Sequence, residues 1–254
     1  MTMCNEVRLC TELEWPNRAE SLKAAISENS KNVLQHYSHP GIKLALASID
    51  APYIALVFQK KWLPGRTLKI VFLGDTDPQV KEKIISHANQ WLEYVNLKFE
   101  FIDGQNGDIR ISTEPGGSWS YIGTDATLIN ASDATMNYGW LTPDTPDEEY
   151  SRVVLHEFGH ALGALHEHQH PGAGIPWDRP KVYAYYARMG WSKEQVDNNI
   201  FSKYDSSQLN TSVYDRASIM HYAVPNDLTT GDWEIGWNTS LSDLDKSFMH
   251  KQYP

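Results

Sequence analysis

Cysteine is nearly missing from this chain: its 254 residues include two, Cys4 and Cys10. Two thiols cannot staple a domain of this size, so stability must come from an apolar core, and the 41 % hydrophobic content is enough for one. No run of about 18 apolar residues occurs, so no membrane-spanning helix is expected. The start, Met1-Thr2-Met3-Cys4-Asn5-Glu6-Val7-Arg8-Leu9-Cys10, lacks the apolar run of a secretory signal. On this reading the chain is cytoplasmic, exported by a non-classical route, or secreted with its signal removed. An excess of positive charge is also absent. The net charge of −10 disfavours nucleic acid and anionic membrane as partners. There is no internal repeat or low-complexity tract.

Histidine, by contrast, is concentrated in one place. Residues 153–167 read Val-Val-Leu-His-Glu-Phe-Gly-His-Ala-Leu-Gly-Ala-Leu-His-Glu. His156 and His160, four apart, share one face of a helix, so both imidazoles can reach one ion. Glu157 lies about 100° round that helix, close enough to polarise a water on the ion without binding the ion itself. Gly163 stands where the helix must stop, because glycine turns into the left-handed region at little cost. The turn brings in His166 as a third nitrogen. Three imidazoles with an open fourth position describe a catalytic zinc site, whereas structural zinc is usually closed by four protein ligands. The full pattern arises by chance in roughly 1 in 10⁵ chains of this length, so a buried helix with incidental histidines is the weaker reading. One zinc ion per chain is expected, although cobalt or copper would suit the same nitrogens. His168 and His170 lack ligand spacing and are read as surface residues or neighbours of the ligands.

His-Glu-x-x-His-x-x-Gly-x-x-His is the metzincin signature. With Glu167 directly after the third histidine and Ser218-Ile219-Met220-His221-Tyr222 downstream, the chain resembles the astacin branch of that clan. The resemblance covers residues 62–254. Trp119-Ser120-Tyr121-Ile122-Gly123-Thr124 and Thr135-Met136-Asn137 are similar to words in microbial astacin-like proteins. It implies an α+β, zincin-like fold: a twisted mixed β-sheet, a zinc-binding active-site helix, and an irregular C-terminal subdomain that starts after Gly163. It also implies Glu157 as general base and Met220 as an apolar floor under the imidazoles, the Met-turn. Tyr222 is implied as a possible fifth metal ligand at rest and as a donor to the oxyanion; His221 has no assigned role. Residues 119–122 could supply the sheet edge that holds an extended substrate, or be a core strand. Animal astacins usually carry two disulfides in this domain; residues 62–254 contain no cysteine, a departure from them.

The function implied is zinc-dependent endopeptidase cleavage of proteins or peptides, by a monomer that needs neither nucleic acid nor membrane. The alternative is a catalytically inactive, zinc-containing peptide-binding protein, against which Glu157 and Tyr222 both speak. A metalloprotease with a downstream glutamate as third ligand is made redundant by His166.

The remaining pattern is coarser. Residues 66–72 alternate as a strand, and Asp77-Pro78 opens a helix with Val80, Ile84 and Ala88 inward and His87 at the surface. Residues 97–101, 108–112 and 136–141 read as strands. Helices are expected after Asp178-Arg179-Pro180, over 195–204, and from Ser242 to the end. Phe72-Leu73-Gly74-Asp75 matches a zinc-capping word of astacin pro-segments, but it ends a strand of the sheet. Residues 1–61 hold a helical stretch at 17–26, a breaker at His39-Pro40-Gly41, and an apolar, ambiguous run at 42–58. They form either an extension that packs on the enzyme and leaves the cleft open, or a removable pro-region. In the second case Cys4, Cys10 or Asp50 would take the fourth zinc position. Cys4 and Cys10 otherwise read as a local disulfide or idle thiols. In mature astacins the carboxylate after the third histidine meets the new N-terminal ammonium. An untrimmed chain must give Glu167 another donor.

Overall fold

The computed structural model describes residues 10–32, 59–204 and 213–254. Cys4, Asp50 and the stretches at 39–41 and 42–58 therefore lie outside the described residues.

One six-stranded sheet carries the N-terminal half. Its strands are β1 (Cys10–Leu13), β2 (Thr67–Phe72), β3 (Lys98–Phe101), β4 (Ile109–Ser112), β5 (Ser118–Tyr121) and β6 (Met136–Tyr138), in the spatial order β1-β5-β6-β4-β2-β3. β3, β2, β4 and β6 run parallel; β5 is antiparallel to β6, and β1 is parallel to β5. All four residues of β4 are buried, as a central strand covered on both faces requires. β1 has no counterpart among the strands expected from the sequence. It extends the sheet past residues 118–121, so the expected edge strand is second from the edge.

Two helices back the sheet. In α2 (Pro78–Ala88), Asp77 caps the amides of Gln79 and Val80, proline takes the first turn, and Val80, Ile84 and Ala88 face the core. His87, expected at the surface, is buried instead. Its Nε2 lies 3.2 Å from Asp147 because the start of the next helix packs across the last turn of α2. That helix, α3 (Asp147–Ala161), is buried from Tyr150 to Ala161 but for a partly exposed Ser151, as befits a helix enclosed by other elements. Asp147, Glu148 and Glu149 sit in its first turn, where the helix dipole favours acid. The indole of Trp62 donates to the Ala161 carbonyl at 2.8 Å, and the Tyr253 hydroxyl donates to Leu162 at 2.7 Å. Both satisfy carbonyls that a helix end leaves open.

Between β1 and β2 comes α1 (Arg18–Glu28), capped by Asn17 and packed on the helical turn at Gly123–Leu128. After Gly163 the chain is mostly irregular. It contains α4 (Arg179–Ala187), the short α5 (Lys193–Val196) followed by a wider turn at Asp197–Phe201 in place of one helix over 195–204, and α6 (Asp243–Gln252). No helix among the described residues is long and apolar enough to cross a membrane.

Candidate active site

Three imidazoles converge between the two halves. His156 and His160 come from α3, and His166 from the segment after the turn at Gly163, whose φ of 93° is in the region that favours glycine. The Nε2 of His160 lies 3.2 Å from that of His156 and 3.1 Å from that of His166. All three residues are buried. Their outer nitrogens are occupied: Nδ1 of His156 faces the Ile219 carbonyl at 2.8 Å, and Nδ1 of His160 faces the Ala164 carbonyl at 2.9 Å. Nδ1 of His166 lies 3.3 Å from Oε2 of Glu12. The carbonyl acceptors place the protons of His156 and His160 on Nδ1, which leaves their Nε2 lone pairs facing inward.

That arrangement fits a metal ion. Two bonds of about 2.0–2.1 Å at a tetrahedral angle hold their nitrogens about 3.3–3.4 Å apart, near the observed spacing. Burial, with the neighbouring imidazoles, pushes His156 and His166 well below the usual histidine range; burial alone brings His160 to about 4. Neutral imidazoles are the form that ligates. The three histidines are the metal-ligand group found among the described residues, positioned for one ion.

Glu157, next in sequence to His156, is fully buried; neither carboxylate oxygen makes a well-formed hydrogen bond, and the Cys10 thiol is the group that comes near it. An orphaned buried carboxylate is costly unless a water or a proton serves it. Burial pushes it up to about 8, with the nearby Cys10 thiol and the Arg152 guanidinium pulling the other way.

Met220 is buried beneath α3, and a β-carbon at Gly159 would overlap its sulfur. The turn that carries it is pinned from two sides. Asp245 at the start of α6 accepts from Ser218 Oγ at 2.6 Å and from the Ile219 amide at 2.8 Å, while the Met220 carbonyl accepts from the Glu167 amide at 3.0 Å. The Tyr222 ring lies 4.4 Å from those of His166 and His168. His168 is buried, its Nε2 2.8 Å from the Asn199 carbonyl, so it backs the tyrosine instead of lying at the surface. His221 accepts or donates at the Tyr214 hydroxyl, 2.8 Å away. Glu167 accepts from the Asp215 amide at 2.8 Å and borders a cavity of about 500 Å³ that Asp215 and Asp245 also line.

The N-terminal strand lies across this site. Cys10 and Glu12, two apart, project to the same side of β1. The Tyr222 hydroxyl donates to the Cys10 carbonyl, and the Cys10 thiol, free and buried, lies 3.9 Å from Arg152 Nη1. Among the described residues the metal-ligand group consists of the three histidines, and the Cys10 thiol does not belong to it. The outer edge of β5 is paired with β1. Beyond Cys10, Asp125, wholly buried, accepts from the Trp15 amide at 2.9 Å and from Lys60 Nζ at 2.7 Å, and Ser21 donates to its other oxygen.

Arg152 and Glu12 carried no expectation. Arg152 had a readable signal, since it stands one turn before His156 on the buried face of α3. Its guanidinium forks onto Glu149 at 2.7 Å and stacks 4.4 Å over Trp237. Asp75, the residue of the zinc-capping word, is exposed at the end of β2.

Comparison with known proteins agrees with this geometry. The model of the Astacin peptidase family matches residues 56–254. The solved structure of myroilysin is 46 % identical, with a TM-score of 0.74, and the match covers 77 % of this chain and 96 % of that one. A hatching enzyme zinc-protease from Oryzias latipes, High choriolytic enzyme 1, shares the fold at 19 % identity and a TM-score of 0.53, over 78 % of this chain and 94 % of that one. An astacin-like metalloendopeptidase of Gallus gallus is 32 % identical over 114 residues, 40 % of this chain; the match spans a quarter of that relative's length. The chain belongs to the astacin family of peptidases and is a zinc metalloendopeptidase of the metzincin clan.

Proposed function

We propose that His156, His160 and His166 hold the catalytic zinc, that Glu157 is the general base, and that Tyr222 donates to the oxyanion. The observation that carries this is Glu157 itself, fully buried next in sequence to His156 while the three Nε2 atoms converge, with only the Cys10 thiol of β1 near its carboxylate. When bound by these three histidines, zinc would supply an acidified water, with a pKa toward about 7, and a Lewis acid for the peptide carbonyl. Glu157 is the group that would accept a proton from the attacking water at its carboxylate and return it to the leaving amine. Tyr222, held by its stack on His168, gives its hydroxyl hydrogen to the oxygen of the attacked carbonyl as negative charge develops there. Met220 floors the site, and the His221–Tyr214 contact stiffens the turn around it. The substrate is a protein or peptide, and no second copy, nucleic acid or membrane is needed for this chemistry.

Residues 1–61 act in this reading as a removable pro-region, and residues 62–254 as the catalytic domain. β1 takes the edge of β5 that an extended substrate would use, and its Cys10 carbonyl takes the Tyr222 hydroxyl assigned to the substrate carbonyl. Glu167, Asp215 and Asp245 around the cavity would suit the ammonium of a trimmed chain, the partner that the carboxylate at the Glu167 position has in mature astacins.

A peptide-library digest with and without a chelator tests the function. Cleavage that stops with chelation and returns with zinc supports it; cleavage indifferent to the chelator rejects it.

A further inference from the structure

Each of the three imidazoles has an oxygen near its outer nitrogen, but these oxygens come from different sources. His156 and His160 face main-chain carbonyls of the catalytic domain, at Ile219 and Ala164. His166 faces a carboxylate that arrives from outside that domain. Oε2 of Glu12, on β1, lies 3.3 Å from Nδ1 of His166, accepts the His166 main-chain N–H at 3.3 Å, and stands 3.8 Å from Nδ1 of His160. Its other oxygen accepts from the Tyr204 hydroxyl at 2.5 Å, and Tyr204 in turn reaches Gln169 Oε1 at 3.0 Å. The Glu12 side chain keeps only 13 % of its exposure. A carboxylate enclosed in this way, held at one oxygen and laid against a ligand imidazole at the other, does more than a strand needs for docking.

We propose that Glu12 is a positioning residue of the metal centre: it orients the His166 ring, fixes the proton on Nδ1, and so lets the N-terminal strand help hold the ion it covers. A carboxylate behind a metal-bound histidine fixes ring and tautomer and makes the ligating nitrogen more basic. Loss of such a partner typically costs about 10–100-fold in metal affinity. The consequence is directional. The chain with β1 in place holds zinc more tightly than the chain without it, so removal of β1 exposes the site and loosens the ion in the same event. The proposal rests on the three histidines being the metal site.

Zinc release from the full-length protein to a chromophoric chelator tests it. A Cys4→Ser background leaves Cys10 as the single thiol, so alkylation of Cys10 reports whether β1 is still docked. Glu12→Gln keeps the shape and removes the charge; Glu14→Gln removes a neighbouring charge whose partner is Lys60, 3.5 Å away. The expected result is release about 10–100-fold faster in Glu12→Gln, no change in Glu14→Gln, and Cys10 unreactive in both. Release from Glu12→Gln within about twofold of the parent would overturn the proposal. A rise seen only together with a reactive Cys10 would overturn it too, since Glu12 would then be no more than an anchor for the strand. Zinc absent from the parent protein would overturn the underlying metal-site reading.

Discussion

The sulfur of Met220 fills the space that a β-carbon on residue 159 would need, so the metal-binding helix and the turn beneath it meet at a glycine. Trp91 closes the same spot, 3.5 Å from that position. The helix would gain from alanine there by about 1 kcal/mol of intrinsic propensity, but overpacking costs about 1–3 kcal/mol. Gly159→Ala is therefore expected to lower the Tm and to pull His156 and His160 away from their common point. Thermal unfolding with a zinc assay on the same sample checks both. An unchanged Tm with full zinc content would show that the turn gives way freely.

β1 along β5 leads to a kinetic expectation. Full-length protein given casein should show a lag that ends as mass spectrometry detects loss of the N-terminal segment carrying Cys10 and Glu12. Full activity from the first seconds, with the chain intact, would mean that β1 leaves β5 readily and serves only as an extension.

The metal-free protein should be most stable near pH 6.5. Below it, buried imidazoles dominate: His160 and His221 sit near 4 and His168 near 3, with burial the first cause in each. Their folded pKa values are depressed, so the unfolded chain binds more protons and stability falls as pH falls from 6.5 toward 3–4. Above it, carboxylates dominate. Glu157 is pushed up to about 8, and Glu12 and Glu167 to about 7, again by burial first. Raised folded pKa values mean that the folded chain binds more protons, so stability falls as pH rises from 6.5 through 7–8. A pH series of Tm values after chelation checks this. A Tm that climbs steadily from pH 6.5 to 8 would contradict it.

What the sequence makes readable is what lies close along the chain. His156, Glu157, His160 and His166 are ordered by one helix and one glycine turn, so spacing alone places them. Asp77-Pro78 and Ser242 mark helix starts through local hydrogen bonds that the structure has, and the alternating residues of β2 fall where expected. β1 was hidden because Cys10-Thr11-Glu12-Leu13 has no apolar alternation; its extended form is imposed by the free edge of β5. Glu12 meets His166 across 154 positions, a pairing that no local pattern encodes. His87 departs from expectation for the same reason: a helical wheel shows which residues leave the stripe, not which other helix covers them.

Glu157→Gln, compared with the parent after removal of the N-terminal segment, gives the most direct test of the catalytic centre. Zinc content and turnover of a protein substrate are measured on the same preparations. One zinc per chain in both, with turnover lower by about 10²–10⁴-fold in the variant, is the expected result. A variant that keeps most of its turnover, or a parent that cleaves protein with no bound transition metal, would contradict the role given to Glu157 and the three histidines.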